Sequence, residues 1–192
     1  MGKTEFSVAI LGGGIRGAAI AALLAQARHC QVRLFEKERI AAGATSTNHG
    51  RLHSGTSLWR SEAPETVRRR WAGLQLLHRL SGVVLTRFES LHFIENSEDL
   101  ATFEQFCQQF SISCKPVPGS VSPPGWMNEN QFAGIYEIPE YAFNPARLAA
   151  RLVAHVIALG GEVFSNAPVV ALDQGRHHAY RLLVLQRDFL PT

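Results

Sequence analysis

The 192-residue sequence contains only three cysteines, Cys30, Cys107 and Cys114. They are odd in number, and no two of them form a Cys-x-x-Cys pair. Disulfide-stabilised and zinc-binding domains need paired or clustered cysteines, so we expect three free thiols and no metal site. Free thiols are typical of a reducing compartment, and the location we expect is cytoplasmic.

Long hydrophobic runs are also missing, because no apolar stretch reaches the ~18 residues that a membrane-spanning helix requires. The alanine-rich segment 18–27 resembles the core of a signal peptide, but a glycine turn and Arg16 directly precede it. We therefore expect no transmembrane segment, while peripheral contact with a membrane stays open.

The sequence has no large excess of positive or negative residues. The formal net charge is +3, and the basic residues are scattered apart from Arg68, Arg69 and Arg70. That triplet lies in a helical stretch whose other side is apolar, which is typical of a solvated helix face. We therefore expect no nucleic-acid partner. With 46% hydrophobic and 18% charged residues, the composition is that of a globular protein rather than a disordered one.

The most informative pattern that is present lies in the first 36 residues. The apolar run 6–11 leads into Gly-Gly-Gly-Ile-Arg-Gly, a helix-forming stretch covers 18–27, and residues 31–35 form a second strand. Glycines here allow a tight turn and close helix packing, and the helix N-terminus offers unpaired N–H groups to a pyrophosphate. The residues that we predict to contact the phosphates are Gly12, Gly13, Gly14, Ile15, Arg16 and Gly17.

An acidic residue follows the second strand, as a dinucleotide site requires. Glu36 comes 24 residues after Gly12, close to the spacing of about 20 at which an acid accepts hydrogen bonds from the adenosine ribose. The negative charge of Glu36 would repel the 2′-phosphate of NADP. The fingerprint by itself leaves FAD and NAD as alternatives.

Further along the chain, the predicted order of elements suggests an interrupted Rossmann-like fold. The predicted elements are a loop over 41–57, a helix over 64–80, strands over 83–88 and 91–94 with a turn at Glu89 and Ser90, a helix capped by Ser97, a helix from Asn144 to Gly160, a strand over 162–164 and a hairpin around Gly175. The last helix and the strand after it would complete a βαβαβ unit.

We therefore predict an α/β protein with a Rossmann-like FAD/NAD(P)-binding fold and an inserted α+β substrate lobe. Residues 1–82 would form the first part of the dinucleotide fold, residues 83–140 the partial substrate lobe, and residues 141–192 the return to the dinucleotide fold.

The loop after the second strand carries another motif. Its residues are Gly43-Ala44-Thr45 and then Asn48-His49-Gly50-Arg51-Leu52-His53-Ser54-Gly55, and a later segment reads Phe143-Asn144-Pro145-Ala146-Arg147-Leu148. With the glycine turn and the Glu36-Lys37 pair, these segments resemble the D-amino-acid-oxidase-like (DAO) superfamily of FAD-dependent oxidoreductases over residues 5–172. The likeness is greatest to the branch that contains the A subunits of anaerobic glycerol-3-phosphate dehydrogenases, and 2-hydroxyglutarate oxidases are more distant.

The resemblance implies FAD as the cofactor and a small molecule as the substrate. The residues that it adds to the predicted cofactor site are Lys37, Thr45, Ser46, Thr47, Asn48, His49, Gly50 and Leu52. It implies hydride transfer to the flavin from a small 2-hydroxy acid, polyol phosphate or amino acid, with His53 or His49 accepting the substrate's hydroxyl proton. A covalent link between His49 and flavin is an alternative. Oxygen, a quinone and an iron–sulfur partner all fit as the electron acceptor.

The other six histidines, His92 among them, show no ligand spacing, and we expect them to be ordinary core or surface residues. Members of the superfamily are longer, and the segments that would complete their flavin site do not occur in these 192 residues. We therefore expect an incomplete chain, which alone would leave flavin and substrate open to water. A non-catalytic nucleotide-binding fragment and an NAD-dependent Rossmann dehydrogenase stay open as other functions.

Overall fold

The computed structural model describes residues 6–28, 30–53, 55–56, 59–60, 64–83, 85–118, 132–175 and 180–185. Within them the elements are β1 (Phe6–Leu11), α1 (Ile15–Ala27), β2 (Cys30–Phe35), β3 (Arg51–Leu52), α2 (Pro64–Ser81), β4 (Thr86–Ile94), α3 (Ser97–Gln109), β5 (Lys115–Pro116), β6 (Gly134–Ala142), α4 (Pro145–Ala158), β7 (Glu162–Phe164), β8 (Val169–Gln174) and β9 (Tyr180–Val184). The chain divides into two compact units. Unit one comprises Met1–Gly50, Leu77–Val83 and Asn144–Thr192, and unit two comprises Arg51–Leu76 and Val84–Phe143.

Unit one contains a parallel sheet with the strand order β1-β2-β7. β1 and β2 pair in register from Phe6 opposite Cys30 onward, and β2 pairs with β7 so that the stacked rings of Phe35 and Phe164 lie 4.9 Å apart. Parallel strands need crossover connections, and α1 supplies the first and α4 leads into β7. The Rossmann-like βαβαβ arrangement predicted from the sequence is confirmed.

Helices α1 and α4 pack against each other in unit one. The buried face of α1 consists of small residues, which let the two helices approach closely. These residues are Ala18, Ala21, Ala22 and Ala25. The facing residues of α4 are larger, and Leu148, Leu152 and Val156 are buried as predicted.

The ends of α4 also agree with the sequence prediction. The Asn144 side-chain oxygen accepts a hydrogen bond of 2.9 Å from the Arg147 N–H, and Pro145 occupies the first turn. Such a cap typically stabilises a helix by about 1 kcal/mol. Gly160 follows the helix with a φ of +87°, a conformation that glycine adopts without steric cost.

The hairpin of unit one pairs β8 with β9 in antiparallel register, from Val169 opposite Val184 to Gln174 opposite Tyr180. The predicted turn glycine, Gly175, directly follows β8, and residues 176–179 of the predicted turn lie outside the described residues.

Unit two is built on an antiparallel sheet with the order β3-β6-β4, and β5 also pairs with β6. The prediction of two short strands separated by a turn at Glu89 and Ser90 is wrong, because β4 runs without a break from Thr86 to Ile94. Glu89 pairs with Pro139 and Ser90 with Ile138 in the middle of the ladder. Glu89 is tolerated in mid-strand because it is exposed and lies on the same side of the strand as Arg87. The Arg87 guanidinium donates to the Glu89 carboxylate at 2.9 Å.

Alternate residues of β6 are buried: Tyr136, Ile138 and Glu140 point to one face of the sheet. The core of unit two gathers on that face together with residues of α3. Its buried members are Ile94, Phe103, Phe106, Cys107, Ile112, Tyr136 and Ile138. The aromatic side chains Phe103 and Phe106 of α3 therefore serve the packing of this core.

The start of α3 differs by one residue from the prediction. The N-cap is Asn96 rather than Ser97, and no side-chain hydrogen bond caps the helix. Instead, the Asn96 amide donates to the Asp99 carboxylate at 3.2 Å. The acidic first turn predicted from Glu98 and Asp99 is present, and it stabilises the positive end of the helix dipole.

Candidate functional site

The glycine turn after β1 is held tightly against the first turn of α1. The Gly12 N–H donates to the Phe35 carbonyl at 2.8 Å, and Gly12 has a φ of +111°. A Cβ atom on Gly17 would lie 1.9 Å from the Gly12 carbonyl oxygen. Because that oxygen belongs to the backbone and cannot swing away, position 17 accepts only glycine. The predicted close packing of helix on turn is therefore present.

The N-terminus of α1 presents backbone donors with no acidic residue in its first turn. The first hydrogen bond of the helical ladder runs from the Ala18 N–H to the Gly14 carbonyl at 2.9 Å. The N–H groups of Ile15, Arg16 and Gly17 precede it, and that of Ile15 donates to Thr45 Oγ1 at 2.9 Å. The N–H groups of Arg16 and Gly17, together with the positive end of the helix dipole, form a site suited to an anion.

Glu36 is buried with 8% of its surface exposed. One of its carboxylate oxygens bonds to the glycine turn and the other bonds to the segment after β2. Oε2 accepts from the Gly13 N–H at 2.5 Å, and Oε1 accepts from the Glu38 N–H at 3.0 Å. A carboxylate has about four acceptor positions, so these two bonds leave capacity for hydroxyl donors. The neighbouring Lys37 side chain is exposed and lies 3.8 Å from the Glu38 carboxylate.

The hydroxyl groups of the loop 43–50 mostly bond within the loop itself. Ser46 donates to the carbonyls of Ala42 and Gly43, both at 2.9 Å. Thr47 donates to the Ala44 carbonyl at 3.3 Å. The donor protons of Ser46 and Thr47 are thus used locally, and only their lone pairs are left for a ligand. Thr45 differs from both, since it is buried and faces the start of α1.

The end of this loop is shaped by Asn48, whose side-chain oxygen accepts from the Gly50 N–H at 2.8 Å. This bond forms an Asx turn, and Gly50 adopts a φ of +67°. His49 lies exposed between these two residues, and Leu52 is half-buried in β3. The predicted cofactor residues from Thr45 to Gly50 therefore lie in ordered turns of unit one, and Leu52 lies in β3 of unit two.

Within unit two, His53 lies beside a buried carboxylate. His53 Nδ1 is 3.3 Å from Oε1 of Glu140, whose side chain is only 1% exposed, whereas the His53 side chain is 42% exposed. His92 Nε2 lies 4.0 Å from the same oxygen. Thr56 is fully buried, and its hydroxyl lies 3.2 Å from His92 Nε2. We call His53, Thr56, His92 and Glu140 the histidine–glutamate cluster.

Burial of His92 favours its neutral form. Burial lowers the pKa of His92 below its ordinary value of 6.5, because an imidazolium loses its hydration there. The nearby Glu140 carboxylate raises this pKa, and His53 lowers it, but the effect of burial is the largest. The ring of His92 also stacks on Phe103 at 6.4 Å, which contributes to its burial.

Sequence reasoning missed Glu140, Thr56 and His92 as parts of a site. The available signal was the alternation Tyr136, Ile138, Glu140 on one face of β6, which puts a carboxylate at a buried position. A buried carboxylate needs polar partners. The pairing of β3 and β4 with β6 brings His53 and His92 close to Glu140. The predicted free thiols are present, since Cys30, Cys107 and Cys114 are all free.

Two further features concern only the part of the chain that the structure describes. In that part, no group of three or more histidine, cysteine or acidic side chains is arranged to hold a metal ion. No helix among the same residues is long and apolar enough to cross a membrane.

The parallel βαβαβ unit with its glycine turn and Glu36 defines an FAD/NAD(P)-binding fold of the Rossmann type. Residues 7–186 match the family described as DAO, FAD dependent oxidoreductase. The chain therefore belongs to the DAO family of FAD-dependent oxidoreductases, and FAD is the cofactor that this membership assigns to it. The resemblance found in the sequence is confirmed.

Curated relatives are A subunits of anaerobic glycerol-3-phosphate dehydrogenase. The protein from Escherichia coli K12 is 34% identical over 149 residues, which cover 74% of this chain and 27% of the relative. The protein from Haemophilus influenzae is 28% identical over 175 residues, covering 84% of this chain and 29% of the relative. The chain thus spans between a quarter and a third of the length of these relatives.

Solved structures with the same fold include L-α-glycerophosphate oxidase from Mycoplasma pneumoniae, described with FAD bound. It superposes with a TM-score of 0.74 at 20% identity, over 96% of this chain and 51% of that one. Glycine oxidase from Geobacillus kaustophilus gives a TM-score of 0.67 at 24% identity, over 93% of this chain and 51% of that one. At these identities the likeness supports the fold and no particular substrate.

Proposed function

We propose that this chain forms the FAD-binding part of an oxidoreductase that oxidises a small hydroxylated or amino-bearing metabolite. The observation that carries the proposal is the α1 N-terminus, where two backbone N–H groups precede the helical ladder beside a buried ribose-binding candidate, Glu36. Membership of the DAO family selects FAD over NAD among the dinucleotides that such a site accepts. An NAD-dependent dehydrogenase would also leave the sequence motif at 48–55 unexplained.

The residues fit FAD on chemical grounds. The N–H groups of Arg16 and Gly17 would bind the pyrophosphate, and the helix dipole would stabilise its negative charge. Glu36 would accept hydrogen bonds from the ribose hydroxyls through the acceptor positions that Gly13 and Glu38 do not use. The backbone of the loop 43–50 would supply further contacts, with Thr45 holding the loop to the start of α1.

We propose His53 as the group that takes the substrate's hydroxyl proton. FAD, when bound, supplies the two-electron acceptor for the hydride that leaves the substrate carbon. The chain's contribution is a histidine whose side chain is partly exposed, so a substrate can reach it, and whose other nitrogen is held by Glu140. His49 is exposed and is the second candidate. We further propose unit two, which contains His53, as the substrate lobe.

Among substrates, we place a polyol phosphate such as glycerol 3-phosphate first. The 34% identical relative is named for that reaction, although it is nearly four times as long as the matched segment. A 2-hydroxy acid comes next, and an amino acid follows, since the resemblance of the sequence motifs implies both as substrates. A substrate phosphate would need cationic groups, and oxygen, a quinone and an iron–sulfur partner all fit as the electron acceptor.

The test begins with the purified full chain and FAD. We expect the flavin absorbance to shift and the flavin fluorescence to change on binding, whereas Gly17→Ala should bind little FAD. Addition of glycerol 3-phosphate, 2-hydroxyglutarate and glycine with a dye acceptor then tests turnover. Binding of FAD without turnover of any substrate would support a non-catalytic nucleotide-binding fragment, and preference for NAD would overturn the proposal. Flavin fluorescence in the denatured protein band would reveal a covalent link to His49.

A further inference from the structure

Glu140 is a carboxylate that neither the glycine turn nor the loop motif explains. We propose that Glu140 is a positioning residue that keeps the proton of neutral His53 on Nδ1, so that the lone pair of Nε2 faces the substrate. The inference rests on the proposed function for what His53 does, but the pairing of Glu140 with His53 can be tested without turnover.

The strand register brings these two residues together. β3 pairs antiparallel with β6, with Arg51 opposite Ala142 and Leu52 opposite Tyr141. Continuing that register by one residue puts position 53 opposite position 140. The observed distance of 3.3 Å between His53 Nδ1 and Glu140 Oε1 agrees with this arrangement. The contact is thus a consequence of backbone pairing between two segments 87 residues apart in sequence.

The direction of the hydrogen bond follows from the chemistry of the two groups. The proposal assigns Glu140 the ionised form, which has no proton to donate, so the imidazole nitrogen that faces it is the donor. Neutral imidazole carries one proton, which leaves Nε2 of His53 as the acceptor. The His53 side chain is 42% exposed although it lies against a carboxylate that is only 1% exposed, so the ring is partly accessible from solvent.

The same carboxylate would stabilise the product of proton transfer. When the substrate O–H bond breaks, its electron pair stays on the substrate oxygen, and a new N–H bond forms at His53 Nε2. His53 then carries a positive charge, and Glu140 remains an anion hydrogen-bonded to Nδ1–H. An oriented base with an anionic partner is a recurring arrangement in proton-transfer sites.

His92 and Thr56 complete the surroundings of Glu140. His92 approaches the same oxygen at 4.0 Å, and Thr56 Oγ1 lies 3.2 Å from His92 Nε2. Because burial keeps His92 neutral, it does not cancel the charge of Glu140, and the attraction of the carboxylate for a protonated His53 is preserved.

The experiment reads the tautomer of His53 directly. Long-range ¹H–¹⁵N NMR spectra of the full chain labelled with ¹⁵N-histidine distinguish protonated from unprotonated ring nitrogens, and Gln in place of His53 assigns the signals. At a pH where the ring is neutral, we expect the Nδ1–H form to predominate in the wild-type protein. In Glu140→Met, which removes the acceptor, we expect the Nε2–H form to become the majority.

The matched control is Glu137→Met on the same strand, whose side chain lies on the opposite face from Glu140. It should leave the His53 tautomer unchanged. Predominance of Nε2–H in the wild-type protein, or an unchanged tautomer in Glu140→Met, would overturn the proposal. If Glu140→Met does not fold, the wild-type spectrum decides, because predominance of Nε2–H in that spectrum overturns the proposal without any variant.

A kinetic readout separates this inference from the proposed function. In an FAD-loaded protein that turns over substrate, Glu140→Gln should lower kcat by about 10²-fold or more with little change in KM, since it removes the negative charge that stabilises protonated His53. If no substrate is oxidised although the tautomer behaves as expected, the proposed function fails and the pairing of Glu140 with His53 stands. If kcat is unaffected while the tautomer changes, the positioning role is rejected.

Discussion

The Ile15 N–H donates to the Thr45 hydroxyl oxygen at 2.9 Å, which joins the first turn of α1 to the loop that follows β2. The two residues are 30 positions apart, and Thr45 is buried. The bond satisfies one of the N–H groups that every helix N-terminus leaves without a partner inside the helix. The hydrogen bond therefore fixes the loop after β2 against the anion site at the start of α1.

Replacing Thr45 by valine should test this link. Valine has the same shape but no oxygen, so the Ile15 N–H would lose its acceptor, and we expect a loss of about 1 kcal/mol in the free energy of unfolding. Urea denaturation measures this loss, and FAD binding should weaken in parallel. Thr47→Val is the control for the free energy of unfolding, because its exposed hydroxyl bonds within its own turn. Equal effects of the two substitutions would contradict the link.

Gly17→Ala should destabilise the chain more strongly. The new Cβ would lie 1.9 Å from a backbone oxygen, and either the helix or the turn must move to accommodate it. We expect a loss of about 3 kcal/mol, seen as a lower thermal midpoint, together with loss of FAD binding.

Gly73→Ala provides the contrast, because a Cβ there meets nothing within 4 Å. Gly73 lies inside α2, where alanine favours the helix, so this substitution should stabilise the chain by up to about 1 kcal/mol. A wild-type thermal midpoint in Gly17→Ala would show that the turn adapts without cost.

Glu36→Gln should weaken FAD binding by about tenfold, which corresponds to about 1.4 kcal/mol. An amide cannot accept hydrogen bonds through both of its terminal atoms, so one of the N–H groups of Gly13 and Glu38 would lose its partner. Fluorescence titration with FAD measures the change. Glu38→Gln, at an exposed position, should bind FAD like the wild type.

The buried His92 should make the stability of the chain dependent on pH. Its pKa is lower in the folded state than the ordinary value of 6.5 that the unfolded chain has. The unfolded state therefore binds more protons in acid, so the contribution of neutral His92 is complete above pH 6.5 and is lost as the pH falls through the lowered value. The urea midpoint should decrease as the pH falls below 6.5 toward the lowered pKa of His92, and less so in His92→Gln.

His78→Gln is the matched control for that experiment, since His78 Nδ1 lies 3.0 Å from the Val83 carbonyl and outside the histidine–glutamate cluster. It should keep the wild-type dependence on pH. The groups that face His92 are Glu140, His53, Thr56 and Phe103. An identical pH dependence in His92→Gln and wild type would assign the effect to other groups.

The parts of the fold that could be predicted from the sequence are those with local signals. The glycine turn, the Asn144-Pro145 helix start and the strand at 162–164 each follow from neighbouring residues, and all three are present. The turn at Glu89 and Ser90 was wrong because polar residues in mid-strand resemble a turn until the opposite face of the strand is known.

The candidate site likewise contains residues whose roles have local signals in the sequence and residues whose roles do not. Glu36 accepts from the Gly13 N–H, a contact that the sequence did not predict, and its predicted contact with a ribose stays a prediction. The loop hydroxyls were less predictable, because Ser46 and Thr47 bond to carbonyls in their own turn, whereas Thr45 bonds to a helix 30 residues earlier. Nothing in a run of three hydroxylated residues distinguishes these roles.

The sequence by itself determined the nucleotide-binding βαβ unit and the family, because glycine spacing, helix-forming residues and an acid at the strand end act through contacts close in sequence. Only the tertiary structure decided that His53 has a buried carboxylate beside it. Glu140 is 87 residues away, and a lone glutamate in a strand carries no sign of its partner. The antiparallel register of β3 with β6 brings the two residues together. The burial of Glu140 strengthens their hydrogen bond, because the protein interior screens charge less than water does.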